Sequence, residues 1–359
     1  MPSGSGWQWR GYLLKTGATS RIESVLDDFS VRRRITLWGL FFLICFGLGY
    51  PILNRYDPGK VPGTSDAAYY SDAVRAPVSF SYRALVPALA RPFYLLGKER
   101  IGTWDPALFG LLVASSILTA STAIAIIAIG LRCGFAFVTS LVGAMLFLFN
   151  FAVANWNLAG YVDSGEAFFL ALTVWSLLSE RWYLLALWAL PGALSKDTFA
   201  PFAVVFTGIW WLNDRPLRPA RLIWIGALAI LSGWTVLASL EAPSGLYSGG
   251  VQYAKEMKAF SQVGFLRATL RCLTVREFWF VFAWLLPLGL MRIKRMDRRW
   301  AWAVTVTFSL ALILGGYNNA LGNTTRAFFN IAGPLLSLAA AVFLTQGSSA
   351  AHQRPLLRK

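Results

Sequence analysis

The chain has 359 residues, of which 56% are hydrophobic and only 14% are charged, and its mean hydropathy is +0.54. A soluble protein would carry about 25% charged residues, so this composition excludes an ordinary soluble domain and predicts an all-α polytopic membrane protein. The net charge is +16, and the single histidine excludes both His-based catalysis and a multi-His metal site.

The N-terminal segment, residues 1–35, is polar and basic and lacks the apolar core of a signal peptide. The first apolar run follows Arg32, Arg33 and Arg34, which indicates an uncleaved anchor with a cytoplasmic N-terminus. Apolar runs of up to about 20 residues, long enough to cross a bilayer, then recur along the chain. We predict ten crossings, at about 36–54, 107–130, 134–156, 163–179, 182–195, 198–213, 221–241, 277–291, 300–316 and 327–345.

These crossings predict a single transmembrane domain over 36–345 and a cytoplasmic tail at 346–359. Two external loops, 55–106 and 242–276, carry amphipathic stretches that we expect to form helices or to lie along the outer membrane surface. The fifth and sixth crossings are short, as in a broken or re-entrant pair that lines a protein cavity. Merging these two crossings into one long helix would invert the topology of the rest of the chain.

Charge decides between the two topologies. With ten crossings, almost all lysines and arginines of the short loops lie on the cytoplasmic side, and only Lys196 and Arg326 lie outside. The basic excess is therefore a topology signal and a contact with anionic lipid, and it does not indicate a nucleic-acid partner. The composition, rich in Ala, Trp and Arg, suggests a bacterial plasma (inner) membrane protein with both termini in the cytoplasm.

Charged residues at membrane depth are costly, and here they concentrate on the predicted outer face. Asp163 and Glu166 open the fourth crossing and share one helix face, although Asp163 could instead be a simple helix N-cap. Lys196 could bind a phosphate group or belong to a plain polar turn. Asp197 beside it could cap the next helix. Arg326 could bind phosphate or could extend towards the lipid headgroups.

These residues, in this order, resemble the GT-C superfamily of membrane glycosyltransferases. The matching stretches are "SDAAYY", "SYRALVPALARPF", "GYVDSGEAFF", the Lys-Asp-Thr of 196–198 and "NTTRAFFNIAGP". The resemblance implies transfer of a sugar from a polyprenyl-phosphate donor to a glycan, lipid or protein acceptor of the cell envelope, at the outer face of the membrane. Many members have adjacent acids in the first loop, whereas here Asp66 is followed by Ala67.

The resemblance also implies roles for individual residues. Asp66 would be the base that takes a proton from the acceptor hydroxyl. The donor phosphate would be held by cations that meet its developing charge. The candidates for this clamp are Lys196, Arg326 and Arg83.

The remaining candidates would shape the substrate site. Asp163 and Glu166 would position the acceptor, orient a cation or complete the wall of a hydrated cavity. Tyr69 and Tyr70 would stack on a sugar ring or, equally, anchor the loop at the interface. The chemistry requires no metal or other cofactor, although three acids on one face would also suit a divalent cation. We therefore expect Asp66, Asp163, Lys196 and Arg326 to meet at the outer boundary.

Two other function classes fit the same sequence. A transporter or flippase of a lipid-linked substrate would also carry buried charges, but such sites usually lie near the membrane midplane between internal repeats, which are not visible here. A non-catalytic accessory or scaffold subunit would use the external loops to bind a partner. The isolated Asp66 is compatible with this second alternative.

Overall fold

The computed structural model describes residues 30–54, 65–76, 83–102, 104–214, 216–241, 264–317 and 324–352. Within these ranges all regular elements are helices. The helices are α1 (Val31–Asn54), α2 (Ser65–Arg75), α3 (Leu85–Gly97), α4 (Pro106–Arg132), α5 (Phe137–Leu148), α6 (Asp163–Leu178), α7 (Leu184–Ser195), α8 (Phe199–Asn213), α9 (Leu222–Glu241), α10 (Phe265–Thr274), α11 (Arg276–Phe282), α12 (Leu285–Leu290), α13 (Arg298–Tyr317) and α14 (Thr325–His352). A π-helical turn covers Val153–Asn157, and 3₁₀ turns cover Pro219–Arg221 and Ile293–Arg295.

By length and composition, five of these helices can cross a membrane. Their apolar spans are Val31–Leu53, Pro106–Arg132, Pro219–Ser239, Arg298–Gly316 and Thr325–Thr345. Four further apolar helices, α3, α5, α7 and α8, are shorter. The described part of the chain is therefore an all-helical, membrane-embedded bundle.

Two helices form the centre of this bundle. In the most apolar window of α4, 78% of residues are buried inside the protein, and in that of α14 the share is 89%. The corresponding shares in α1 and α9 are only 17% and 22%. Because a helix that is apolar on all sides but little buried by protein needs another apolar solvent, α1 and α9 present their side chains to lipid.

The start of α4 is fixed by its own sequence. Asp105 is the N-cap and accepts a hydrogen bond from the Ala107 backbone N–H at 2.8 Å, while Pro106 occupies the first turn, where its missing N–H is not needed. The same carboxylate pairs with Arg75 at 2.5 Å, from the end of α2. The expected loop helices, α2 and α3, therefore form, and α2 is tied to the first turn of α4.

A close approach between α3 and α4 depends on Gly110. A Cβ added there would lie 2.6 Å from the Ala90 carbonyl oxygen and 3.1 Å from the Tyr94 backbone nitrogen. Because both obstacles are backbone atoms, they cannot rotate away.

We therefore expect Gly110→Ala to destabilise the protein by about 1–3 kcal/mol, the usual cost of overpacking a well-packed contact. Thermal unfolding of the purified protein in detergent measures the effect. Gly226→Ala is the matched control, because Gly226 lies inside α9 with no heavy atom within 4 Å of an added Cβ. That control should be neutral or slightly stabilising, since alanine favours helix, and equal losses in both variants would contradict the assignment.

Two of the predicted crossings are broken rather than continuous. The third stops as α5 at Leu148 and resumes near a π-helical turn, and the eighth is divided into α11 and α12. The Asn150 side chain donates to the Val281 carbonyl oxygen at 3.1 Å and accepts from the Ala152 backbone N–H at 3.0 Å. The side chain of Asn150 therefore satisfies one backbone group near each of the two breaks. Such bonds make non-helical backbone tolerable inside a membrane protein.

The fifth and sixth segments are separate helices, α7 and α8, as predicted. Lys196, between them, has an extended backbone with φ −162° and ψ 135°, so a single merged helix is excluded. Two helix ends differ from the predicted bounds. Helix α1 begins at Val31, within the predicted N-terminal segment, and α14 continues to His352, beyond the predicted start of the tail.

Charged side chains join four segments of the chain near the C-terminal ends of α6 and α8. We call Glu180, Asp214, Arg221, Asp297 and Arg299 the Asp214 cluster. Arg221 pairs with both Asp214 and Glu180, and Arg299 contacts Asp214 at 2.7 Å. The prediction that these two arginines mainly signal topology and contact lipid was incomplete, because both are neutralised by acids of the protein.

Candidate functional site

Six polar residues meet where α6, α8 and α14 begin. We call them the Asp163 cluster: Asp163, Glu166, Lys196, Thr198, Arg326 and Asn330. Because α6 and α8 both run from this cluster to the Asp214 cluster, the two charged clusters lie at opposite ends of the bundle.

The centre of the cluster is the Lys196 ammonium. It donates to Asp163 Oδ1 at 2.6 Å and to Glu166 Oε2 at 3.0 Å. The two acids are three residues apart in the first turn of α6, so both reach the same partner. The N-cap of α6 is Val162, with no side-chain capping bond, so the interpretation of Asp163 as a simple N-cap is wrong.

The contact between α6 and the end of α7 needs a glycine. A Cβ at Gly165 would lie 2.6 Å from the Ser195 Cβ and 3.3 Å from the Val86 Cγ2. Gly165 directly precedes Glu166, and Ser195 directly precedes Lys196. The close backbone approach therefore brings the carboxylate and the ammonium into direct contact.

Glu166 is fully buried and has partners at both carboxylate oxygens. Oε1 accepts a hydrogen bond from the Thr198 hydroxyl. Oε2 accepts from the Asn330 side-chain amide at 2.7 Å, in addition to the Lys196 bond. A buried carboxylate with three donors is held in one position.

Arg326 approaches from α14, in the same turn as Asn330. Its Nη1 lies 3.6 Å from Asp163 Oδ2, and its guanidinium carbon lies 4.3 Å from the centre of the Tyr161 ring. The side chain of Arg326 is 22% exposed, against 2% for that of Asp163. Arg326 therefore belongs to the rim of the cluster, where its cation rests on an aromatic face.

A second group adjoins the cluster and consists of Arg83, Tyr70 and Asp197. Arg83 contacts Asp197 Oδ1 through Nε at 2.9 Å and Nη2 at 2.8 Å, and its Nη1 donates to the Tyr70 hydroxyl at 2.8 Å. The Asp197 side chain therefore binds an arginine and does not cap α8, whose N-cap is Thr198 without a capping bond. Arg83 has φ +55°, a left-handed backbone that is uncommon for a residue with a side chain and that persists where surrounding contacts enforce it.

The surroundings of Lys196 favour its charged form. Lys196 lies in the turn between α7 and α8, and burial lowers its pKa, but the carboxylates of Asp163 and Glu166 raise it by more. The pKa of Lys196 is consequently above its usual value, and the side chain stays an ammonium at physiological pH. Together with the Arg83–Asp197 pair, the cluster contains three cations and three acids, so its formal charge is balanced.

The predicted site residues are thus largely brought together. Asp163, Glu166, Lys196 and Arg326 form one network, and Arg83 and Tyr70 lie in the adjoining group. Tyr69 packs edge-on against Tyr70, with ring centres 5.2 Å apart. The side chain of Asp66 lies outside the described residues, but its backbone belongs to α2, one helical turn before Tyr70.

Sequence reasoning missed three of the participants: Thr198, Asn330 and Tyr161. Asn330 follows Arg326 by four residues, the spacing that places two side chains on one helix face. Thr198 is the third residue of the Lys-Asp-Thr stretch. The positions of Asn330 and Thr198 relative to predicted site residues were therefore visible in the sequence. Nothing in the sequence indicated that both side chains would bind Glu166.

In the described residues no group of three or more His, Cys, Asp or Glu side chains is arranged to hold a metal ion. Neither a protein-family model nor a curated protein matches the sequence of this chain.

Proposed function

We propose that this chain is a membrane glycosyltransferase that moves a sugar from a polyprenyl-phosphate donor to an acceptor hydroxyl at the outer face of the membrane. The observation that supports this most is the convergence of acids and bases from four separate segments at one end of the bundle. Buried ionisable groups are costly in a membrane protein and mark substrate sites by default. The order of these residues along the chain also fits the GT-C resemblance.

The proposed reaction is a single inverting displacement. The acceptor oxygen attacks the anomeric carbon, the bond from that carbon to the phosphate oxygen breaks, and polyprenyl phosphate leaves with the electron pair. Asp66 takes the proton of the acceptor hydroxyl. Cationic donors stabilise the phosphate charge that develops as the bond breaks.

The exposure of the cations suggests how they divide this work. The side chains of Arg326 and Arg83 are 22% and 19% exposed, whereas that of Lys196 is 10% exposed and bound by two carboxylates. The two arginines are therefore better placed than Lys196 to donate hydrogen bonds to the phosphate, since the guanidinium fork binds phosphate in a bidentate manner. Lys196 then acts mainly by fixing Asp163 and Glu166.

The proposed orientation has ten crossings, a cytoplasmic Asp214 cluster and an external Asp163 cluster. It predicts that a thiol introduced by Glu99→Cys, in the exposed turn before α4, reacts with a membrane-impermeant maleimide added to intact cells. A thiol introduced by Lys294→Cys, exposed between α12 and α13, should react only after permeabilisation. The unchanged chain, whose Cys45 and Cys272 are buried, gives the background. The reverse labelling pattern would contradict the orientation.

Turnover by the purified full chain in lipid vesicles tests the function itself. The vesicles receive a panel of labelled polyprenyl-phosphate sugars and a crude cell-envelope extract as acceptor. We expect labelled sugar to enter the acceptor in step with release of polyprenyl phosphate. Release without incorporation would indicate hydrolysis and would contradict a transferase, and vesicles without extract provide the control.

One observation favours a second candidate, a non-catalytic accessory subunit. The charges of the Asp163 cluster and the Arg83–Asp197 pair already neutralise one another, as they would in a purely structural network. A subunit of this kind would keep its fold, bind its partner and release no polyprenyl phosphate from any donor in the turnover assay.

A further inference from the structure

Within the part of the chain that the structure describes, Asn330 is the member of the Asp163 cluster with a buried acceptor atom that lacks a hydrogen-bond partner. Its side chain is buried, with 1% of the residue exposed, and its Nδ2 donates to Glu166. Its Oδ1 is also buried and has no hydrogen-bond partner among the described residues. The amide is oriented with its nitrogen towards Glu166 Oε2, an oxygen that also accepts a hydrogen bond from the Lys196 ammonium.

An unsatisfied buried acceptor costs about 1–3 kcal/mol, so Asn330 Oδ1 requires a donor from outside the described protein. The Lys196 ammonium has three N–H groups and uses two of them, on Asp163 and Glu166. Lys196 and Asn330 both donate to the same oxygen, Glu166 Oε2. The unmatched acceptor and the remaining ammonium donor therefore belong to two residues that meet at one carboxylate oxygen.

A hydroxyl group suits such a pair, because it donates one hydrogen bond and accepts another. It would donate to Asn330 Oδ1 and accept from Lys196. A phosphate oxygen would not suit Oδ1, since both are acceptors. The position therefore differs in chemistry from the more exposed side chains of Arg326 and Arg83, which we call the arginine rim and where an anion is favoured.

We propose that the amide oxygen of Asn330 binds a hydroxyl group of the ligand's sugar and that Asn330 is a specificity-determining residue of this site. The inference rests on the proposed function and deepens it. Arg326 and Arg83 bind the phosphate at the rim, and Asn330 recognises one sugar hydroxyl further inside. Sites built around a hydroxyl reject ligands that lack it, because their buried polar atoms are then left unpaired.

Binding to the full chain in lipid nanodiscs tests this directly. The probes are a polyprenyl-phosphate hexose, its monodeoxy analogues that each lack one ring hydroxyl, and bare polyprenyl phosphate. For the wild type, we expect one particular deoxy analogue to bind about tenfold or more weakly than the parent, the effect of one buried hydrogen bond. In Asn330→Ala the parent should weaken by a similar factor, and the penalty for that one analogue should disappear.

Asn150→Ala is the matched control. Asn150 is also 1% exposed, but both ends of its amide bind protein backbone. This variant should lose thermal stability and keep the full pattern of discrimination. If Asn330→Ala is too unstable to purify, Asn330→Ser tests the same point, since its shorter side chain no longer reaches the sugar hydroxyl.

The outcomes separate this inference from the proposed function. Discrimination that survives in the Asn330 variants would overturn the inference and leave Asn330 as a support for Glu166 or a ligand of water. Loss of discrimination in a protein that binds sugar-lipid but transfers nothing would uphold the inference and reject the glycosyltransferase. Equal binding of sugar-lipid and bare polyprenyl phosphate by the wild type would overturn the inference, whatever turnover is found.

Discussion

Lys196→Met is expected to destabilise the protein by about 3–5 kcal/mol, the cost of leaving buried charges without their partner. Methionine replaces the apolar stem of the lysine with an unbranched chain that is one atom shorter, and it removes the ammonium between Asp163 and Glu166. Both acids are almost completely buried, so water cannot replace the lost donor. Thermal or denaturant unfolding of the purified protein in detergent measures the loss, together with the yield of folded protein.

Two comparisons make this result specific. Lys98→Met removes an exposed lysine that pairs with Glu99 at 3.9 Å, and surface pairs of that kind contribute little. Adding Asp163→Asn and Glu166→Gln to Lys196→Met should recover part of the stability, because a neutral set replaces an unbalanced one. If Lys196→Met unfolded like Lys98→Met, the ion network would not be a stabilising feature.

Asp66→Asn is expected to reduce sugar transfer by about 10²–10⁴-fold, the usual contribution of a general base. The amide is close in size to the carboxylate but cannot take the proton from the acceptor hydroxyl. Because the base acts in the chemical step, binding of the polyprenyl-phosphate sugar should be nearly unchanged. Initial rates of polyprenyl phosphate release, measured beside donor binding, separate the two effects.

Asp72→Asn is the matched control for this variant. Asp72 belongs to the same helix, α2, but its side chain is 54% exposed and pairs with Arg75 of that helix. Its replacement should leave transfer within about twofold of the wild type, because exposed pairs contribute little. Equal losses in both variants would point to the structure of α2 rather than to a base, and full activity of Asp66→Asn would exclude Asp66 from catalysis.

The sequence alone located much of the candidate site. Acids three residues apart at the start of an apolar segment, a Lys-Asp-Thr turn and an arginine before the last apolar run were each visible as charges at membrane depth. The topology argument then assigned them to one face, and the structure brings Asp163, Glu166, Lys196 and Arg326 into one network. This worked because the high cost of isolated charges in lipid leaves few places for them.

The remaining features depended on partners that are distant in the sequence. The break near Asn150 is stabilised by a carbonyl group of α11, and the unmatched oxygen of Asn330 is evident only when all its neighbours are known. Arg221 and Arg299 were interpreted through the positive-inside rule, which counts charges in loops and ignores acids such as Asp214 that neutralise them. Periodicity and composition describe one segment at a time, whereas these contacts join several.

The short α6 between the two charged clusters has a consequence for the surrounding lipid. Its 16 residues span about 24 Å, whereas the hydrocarbon core of a typical bilayer is about 30 Å thick. Such hydrophobic mismatch is met by local thinning of the bilayer or by side chains that reach towards the headgroups. In the ten-crossing arrangement proposed above, the Asp163 cluster would then lie below the general level of the headgroups. Under the proposed function, a phosphate attached to a long isoprenoid tail would then reach Arg326 and Arg83 from within the leaflet, without drawing that hydrocarbon tail into water.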